Sequence, residues 1–229
     1  MKEFKRGISR AFGVAVGYLP IAMSFGAVSV QSGLSDVAAV SMSLWVYSGA
    51  AQFAAIEGVR QNLSWLSIVL TMLLMGLRHI PMSLATKGIF GKFSRVQQLV
   101  LFHGLTDEAF ALDLSDEPRG QSQSNASFSY YAGIHLFCWA SWVIGTWLGC
   151  QLGSQLPERW LHFALPSLFL CLLSDGMSRR WSRDTLVVLG VGTALVLVTQ
   201  QLGSVGILLS IIGVSLLASL LPGMNEEAS

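Results

Sequence analysis

Charge is the scarcest commodity in this 229-residue chain: Asp, Glu, Lys and Arg together make up 12% of it. Soluble proteins carry about 25%, so this composition cannot cover a water-facing surface. A formal net charge of +1 with no dense basic block excludes a nucleic-acid-binding surface of the usual kind. Cysteine is scarce as well. Cys138, Cys150 and Cys171 lie inside apolar segments without metal-like spacing, and an odd number cannot all pair, so they read as buried free thiols. His79, His103, His135 and His162 are scattered, with no His-Glu-x-x-His element, which argues against an intramembrane hydrolase. No enzyme activity, cofactor or metal site is expected. A Gly-rich Lys-Ser/Thr phosphate loop is also missing, but a permease subunit of an ATP-driven transporter would lack one too, so that class stays open.

What the chain has is apolar sequence in long runs, at 52% hydrophobic residues. Runs of membrane-spanning length recur at 11–32, 37–58, 63–85, 97–112, 130–153, 163–178, 185–200 and 204–221, which predicts an all-α, polytopic integral membrane bundle. The basic start Met1-Lys2-Glu3-Phe4-Lys5-Arg6 resembles a signal-peptide n-region, yet the apolar pattern continues to Val30, so the first span is read as uncleaved. The interval 113–129 is polar and joins two possible repeat halves, 1–112 and 130–221, within a single membrane domain.

Polar and helix-breaking residues inside the runs mark the interesting depths. Gly104-Leu105-Thr106-Asp107-Glu108-Ala109-Phe110-Ala111 places two acids directly after apolar sequence, where an acid at mid-bilayer costs about 2.5–3.5 kcal/mol. Gly104 loosens the helix, and the Thr106 hydroxyl can cap a new helical start. A broken helix with an acidic tip is one way to build a polar pocket at membrane depth; the plainer reading is a helix ending in surface water, with Asp113, Asp116 and Glu117 following. Pro20 interrupts the first span near Ser24, and Gly13 and Gly17 are spaced for close helix approach. Gln52, in Tyr47-Ser48-Gly49-Ala50-Ala51-Gln52-Phe53, needs an internal hydrogen-bond partner. Arg78 either snorkels to the interface or pairs with the acids near 107. In the fifth run His135, Trp139, Trp142, Thr146, Gly149 and Gly153 share one helical face, and Gly145, Gly149 and Gly153 form a close-packing ridge. His135 either carries a proton or is simply hydrogen-bonded.

Basic residues bear on topology. Eight full crossings leave Lys87, Lys92 and Arg95 outside, whereas making runs two and six re-entrant leaves only Arg60 and Arg119 there. The second scheme fits the positive-inside rule better and makes the halves an inverted repeat with short re-entrant or broken helices.

Six words in series carry a family resemblance: Leu19-Pro20-Ile21-Ala22 with Phe25-Gly26, then Tyr47 to Phe53, Arg78-His79, Gly104 to Ala111, Ser141-Trp142-Val143-Ile144-Gly145-Thr146, and Leu165-Pro166-Ser167-Leu168-Phe169. In these the chain resembles the AzlC family of branched-chain amino acid exporters, on the side of its YgaZ-type large subunits. The sequence departs from that type at Pro81-Met82-Ser83. The resemblance implies a secondary exporter of valine, with leucine, isoleucine or methionine as further substrates. It also implies a bacterial cytoplasmic membrane location and a small membrane partner of the AzlD/YgaH type, and the basic N-terminus is expected on the cytoplasmic side. Such a substrate needs an anion for its ammonium, a cation or helix N-terminus for its carboxylate, and an apolar wall. Asp107 and Glu108 suit the first need, and Arg78 or a broken-helix start near Thr106, Pro20, Ser24 or Ser48 suits the second. Phe25, Phe53, Trp139 and Trp142 suit the third, with Asp107 and Gln52 the leading candidates. A scaffold subunit, the remaining class, has no reason to keep two acids and an arginine at membrane depth.

Overall fold

The computed structural model describes residues 1–115, 126–153, 155, 183–199 and the single positions 210, 213, 214, 216 and 217. The predicted run at 163–178, with Cys171 and the word from Leu165 to Phe169, lies outside the described residues, as do 116–125 and most of 204–221. The chain divides into two compact units, Met1–Ser167 and Leu168–Ser229.

In the first unit α1 is Lys2–Gln31, α2 Asp36–Trp45, α3 Gly49–Arg60, α4 Trp65–Gly76, α5 His79–Ala85, α6 Lys87–Phe90, α7 Arg95–His103, α8 Asp107–Ser115 and α9 Phe128–Leu152. Serines fix several starts. Ser35 and Ser64 accept backbone N–H bonds from Ala38 and Ser67 at 3.2 Å, and Ser94 forms a capping box with Gln97. Among the described residues three helical stretches are long and apolar enough to cross a membrane: Lys2–Gln31, Trp65–Ala85 and Phe128–Leu152. The chain is thus an all-helical bundle with membrane-spanning elements.

α1 and α9 form the spine, and glycine lets them meet backbone to backbone. Gly7 lies against the Tyr130 carbonyl, Gly133 against that of Phe4, Gly26 against that of Thr146 and Gly149 against that of Met23, so any Cβ at these four positions would collide. Gly145 and Gly153 continue the ridge against Ala22 and Ala27. The pairing runs low number with low and high with high, so α1 and α9 are parallel. The expected GxxxG contact of Gly13 and Gly17 is not the one used: a Cβ at either would meet nothing within 4 Å among the described residues. Spacing identifies a face but not its partner, and α1 has two small-residue faces. Nor does Pro20 break α1. It sits on the exposed side of a continuous helix, where its missing N–H disturbs no packed neighbour.

Between the spine helices the chain makes two hairpins that enter from opposite ends. α2 starts beside the end of α9, where Gln151 donates to Asp36 at 2.9 Å, and descends to Leu44, whose carbonyl meets Trp139 of α9. The chain turns at Val46–Ser48, and α3 climbs back beside Phe25 to reach Gly58 against Ile68 of α4. At about 15 and 18 Å, helices of 10 and 12 residues are each too short for the ~30 Å hydrocarbon core. α4 and α5 then run the length of the bundle to Phe90 and Phe93, which stack on Tyr131 near the start of α9. From there α7 rises to His103 and Gly104, and α8 returns until Ser115 accepts a 2.8 Å bond from Arg10 of α1.

The run 97–112, read from sequence as a crossing, is therefore a re-entrant hairpin. Thr106 splits it into two helices of nine residues each, and each half alone is far shorter than a span. The start of α9 consequently lies at the same end as the start of α1, and much of the predicted second half, 130–221, lies outside the described residues. Lys2, Lys5, Arg6, Arg10, Lys87, Lys92 and Arg95 collect at one end, and Arg60 is at the other.

In the second unit α10 spans Arg183–Thr199. Gly192 lies 3.2 Å, by an added Cβ, from Val214, and Thr199 and Ser210 hydroxyls share a 2.7 Å bond. The turn and most of the second arm of the predicted closing hairpin lie outside the described residues.

Candidate functional site

Three helix interruptions converge at mid-bundle, and each has a local cause. At Val46–Ser48 Tyr47 adopts φ 42°, a left-handed conformation unfavourable for an aromatic residue, and this reverses the chain between α2 and α3. At Leu77–Arg78 the cause is Pro81, which has no N–H for the Leu77 carbonyl; Ile80 takes that carbonyl at 3.0 Å instead and tightens the turn. At Gly104–Thr106 the Thr106 hydroxyl accepts from Ala109 N–H at 3.2 Å and starts α8, as the sequence predicts.

Around these breaks lies a cleft of about 470 Å³ lined by Tyr47, Ser48 and Ala51, by Val69, Met72, Leu73, Gly76 and His79, and by Phe102, His103 and Leu105. That volume falls in the range of small-molecule sites, about 300–1,000 Å³. Most of the lining is apolar. Two buried hydroxyls in it, Tyr47 Oη and Ser48 Oγ, have no hydrogen-bond partner among the described residues. Ser48 is the N-cap of α3 but makes no side-chain cap bond, and the first turn of α3 holds no acid. The positive end of that helix dipole is therefore not neutralised by an acid in its own first turn or by a side-chain cap.

The facing helix start has the opposite character. α8 opens on Asp107 and Glu108. Arg78 Nη1 contacts Asp107 Oδ2 at 2.6 Å, with both side chains a little over one third exposed, while Arg78 Nε is buried with no hydrogen-bond partner among the described residues. Glu108 Oε2 accepts from the Tyr18 hydroxyl at 2.6 Å, and that hydroxyl also lies 2.7 Å from Thr106 Oγ1. Arg78 and Asp107 stand one and two residues beyond the cleft-lining His79 and Leu105.

Other sequence candidates are placed elsewhere. Gln52 is fully buried and its amide is used: Nε2 donates to Ser43 at 3.0 Å, and Oε1 accepts from Trp142 Nε1 at 2.9 Å. Ser43 and Thr146 hydroxyls meet at 2.7 Å, and Thr146 donates to the Trp142 carbonyl, which closes the network. Gln52 thus locks α3 to α2 and α9. Phe25 and Phe53 pack edge to face at 5.6 Å in an apolar cluster with Ile56 and Cys150, away from the cleft. Ser24 donates to the carbonyl of Pro20 at 2.9 Å, so neither residue reaches the site. Trp142 backs the site through Tyr18 and Tyr47, at 5.4 and 6.5 Å between ring centroids. Trp139 donates to the Leu44 carbonyl at 3.2 Å, and His103 Nε2 lies 3.0 Å from the same oxygen, satisfying the open end of α2.

Sequence reasoning missed Tyr18, Tyr47 and His103, whose roles depend on which helix they face. It also read Asp113 as part of a polar loop. Asp113 is buried on α8 beside His135.

Residues 13–156, from α1 through both hairpins to just beyond α9, match the family model described as AzlC protein. The chain belongs to the AzlC family. An uncharacterized membrane protein of Archaeoglobus fulgidus is 33% identical over 230 residues, covering 98% of this chain and 96% of the relative. A Helicobacter pylori protein, also named an uncharacterized membrane protein, is 31% identical over 78% of each chain. The inner membrane protein YgaZ of Escherichia coli is 29% identical over 186 residues, 78% of this chain and 75% of its own. No solved structure matches significantly. This AzlC-family chain is an α-helical membrane protein, and the family match covers every element that builds the cleft.

Proposed function

We propose that this AzlC-family protein is the large subunit of a secondary transporter that exports branched-chain amino acids, valine foremost, with leucine, isoleucine and methionine as further substrates. The carrying observation is the pair of opposed helix starts at the cleft: α3, with an unneutralised N-terminus and a free Ser48 hydroxyl, and α8, with its acids. A zwitterion fits that polarity. Its carboxylate meets the α3 start, with Ser48, Tyr47 and Arg78 as donors; its ammonium meets Asp107 or Glu108. Its side chain lies against Val69, Met72, Leu73 and Leu105 of the apolar wall. Two hairpins entering from opposite ends supply the paired gates that alternating access requires. The protein works in the cytoplasmic membrane with a small AzlD/YgaH-type subunit, and the basic end of the bundle, including the N-terminus, faces the cytoplasm.

The test is efflux of labelled valine from cells expressing the chain with and without the small subunit, together with valine binding to the purified protein. Ser48→Ala should weaken valine binding by about tenfold, the effect of one hydrogen bond to a charged group. Unchanged binding in well-folded Ser48→Ala and Tyr47→Phe proteins would remove the α3 start from the reading. Absence of efflux in every combination would remove the substrate.

A further inference from the structure

We propose that the basic end of the bundle carries a phospholipid site, a pocket between α1 and α9 that takes the phosphate of an anionic lipid headgroup. The pocket has a volume of about 490 Å³ and is lined by Arg6, Ser9 and Arg10 of α1 and by Tyr130 of α9. It needs nothing from the transport reading and rests only on the chain being a membrane protein. The sequence of α1 sets it out. Lys2, Arg6 and Arg10 recur every four residues, with Lys5 and Ser9 beside them, so five polar residues share one face of the first turns. From Ala11 to Pro20 the exposed residues are Phe12, Gly13, Val16, Gly17 and Pro20, with no charge among them. The pocket therefore lies where the outer face of α1 changes from basic to apolar, the level at which lipid phosphates meet hydrocarbon.

A bias of positive charge toward one side of a membrane asks only for a number of basic residues, not for an arrangement. Here two guanidiniums are arranged, each by a different helix. Arg6 lies over the Tyr130 ring of α9, 4.5 Å from its centre, and Arg10 Nη2 donates to Ser115 Oγ of α8 at 2.8 Å. Gly7, seated on the Tyr130 carbonyl, fixes how closely α1 and α9 approach at this level. Arg6 also pairs with Glu3 at 2.9 Å, but the two side chains are 61% and 40% exposed, so solvent screens the pair and it uses one of five guanidinium N–H donors. The other acids on these three helices are engaged elsewhere. Asp107 and Glu108 are at the far end of α8, and Asp113 is buried beside His135.

Paired guanidiniums suit a phosphodiester, because the planar N–H forks match its oxygens and remain charged at any physiological pH. Ser9 adds a hydroxyl, and Tyr130 gives the pocket an aromatic wall of the kind found at headgroup level. Lys2 and Lys5 strengthen the field without lining the pocket. A headgroup bound here touches α1 and α9 and the arginine that holds the end of α8. Occupancy therefore clamps the start of the long helix pair to the base of the α7–α8 hairpin and stabilises the folded chain.

The experiment uses the full-length protein in detergent, titrated with phosphatidylglycerol or with phosphatidylcholine of the same acyl chains. Native mass spectrometry counts the lipids retained, and thermal unfolding reads the stabilisation. The wild type should retain phosphatidylglycerol in preference to phosphatidylcholine and unfold at a higher temperature with it. The double variant Arg6→Gln/Arg10→Gln should bind phosphatidylglycerol about tenfold more weakly, whereas Lys2→Gln/Lys5→Gln, which removes the same charge outside the pocket, should stay within about threefold of wild type. If the arginine variant does not fold, a photoactivatable phosphatidylglycerol on the wild type keeps the test: its crosslinks should map to peptides holding Ser9 or Tyr130. Equal losses in the two double variants would mean a diffuse surface charge and overturn the pocket, as would crosslinks spread evenly over the bundle. No preference in the wild type would also overturn it, and is the result expected if the acids that follow Ser115 in sequence fill the pocket themselves. Inorganic phosphate that stabilises the wild type as well as the lipid does, and displaces it, would overturn the lipid as the source.

Discussion

Arg78 and Asp107 meet at 2.6 Å across two interruptions, Arg78 where α4 gives way to α5 and Asp107 at the first turn of α8. Neither is deeply buried, so the pair is of the weakly stabilising kind that solvent screens. Its position matters more than its strength. A substrate carrying both charges can replace each partner by its own opposite charge.

That exchange predicts a coupled mutant pattern. Asp107→Asn and Arg78→Gln should each impair valine binding, and the double variant should be less impaired than the two losses combined, with a coupling of about 1 kcal/mol. A double-mutant cycle on binding by the purified protein checks this. Strict additivity would separate the two residues functionally.

Gln52 should prove structural. Gln52→Leu leaves Ser43 and the Trp142 indole N–H short of partners in a buried network, at a cost of about 2–4 kcal/mol. The thermal midpoint in detergent should fall by roughly 4–15 °C, while valine affinity per folded molecule stays within about threefold of wild type. A stable Gln52→Leu protein with lost affinity would return Gln52 to the substrate site.

The glycines divide into two groups. Gly149→Ala and Gly26→Ala each set a methyl against backbone and should destabilise the fold, whereas Gly13→Ala and Gly17→Ala have room and should not. Thermal unfolding distinguishes them. If the Gly13 and Gly17 variants fold normally yet lose copurification of the small subunit, their open face is where that subunit docks.

Hairpin geometry also fixes a labelling pattern. α8 ends and α9 begins at the same end of the bundle as Lys92, so cysteines at Lys92 and Ser127 should share one accessibility to an impermeant thiol reagent, and a cysteine at Arg60 the opposite one. In whole cells Arg60→Cys should be the one labelled from outside. Labelling of Ser127→Cys together with Arg60→Cys would restore a full crossing at 97–112.

Much of this was legible because local chemistry decided it. Gly104 with Thr106 announced a helix restart, the serine caps marked helix starts, and the glycine ridge of α9 was readable as a packing face. What remained hidden depended on direction. A run of 16 residues fits a short crossing as well as a hairpin, and only the contacts of Ser115 with Arg10 show that it returns. Asp113 looked like loop sequence because its partner, His135, belongs to another helix, and nothing in local composition announces such a pairing. Pro20 was a break by rule and a bystander in fact: the bond it removes is the helix's own, to the Val16 carbonyl on the exposed face, and α1 stays continuous through it.

The α1–α9 contact is made by main chain, and that limits where motion can arise. Side chains can swap rotamers and let an interface slide; carbonyls seated on glycine Cα atoms have no such alternatives. In the proposed transport cycle the two long helices would serve as a stator, and rocking that opens the cleft to one end or the other would fall to the short hairpins, whose tips at Tyr47 and His103 already face each other with ring centroids 6.3 Å apart.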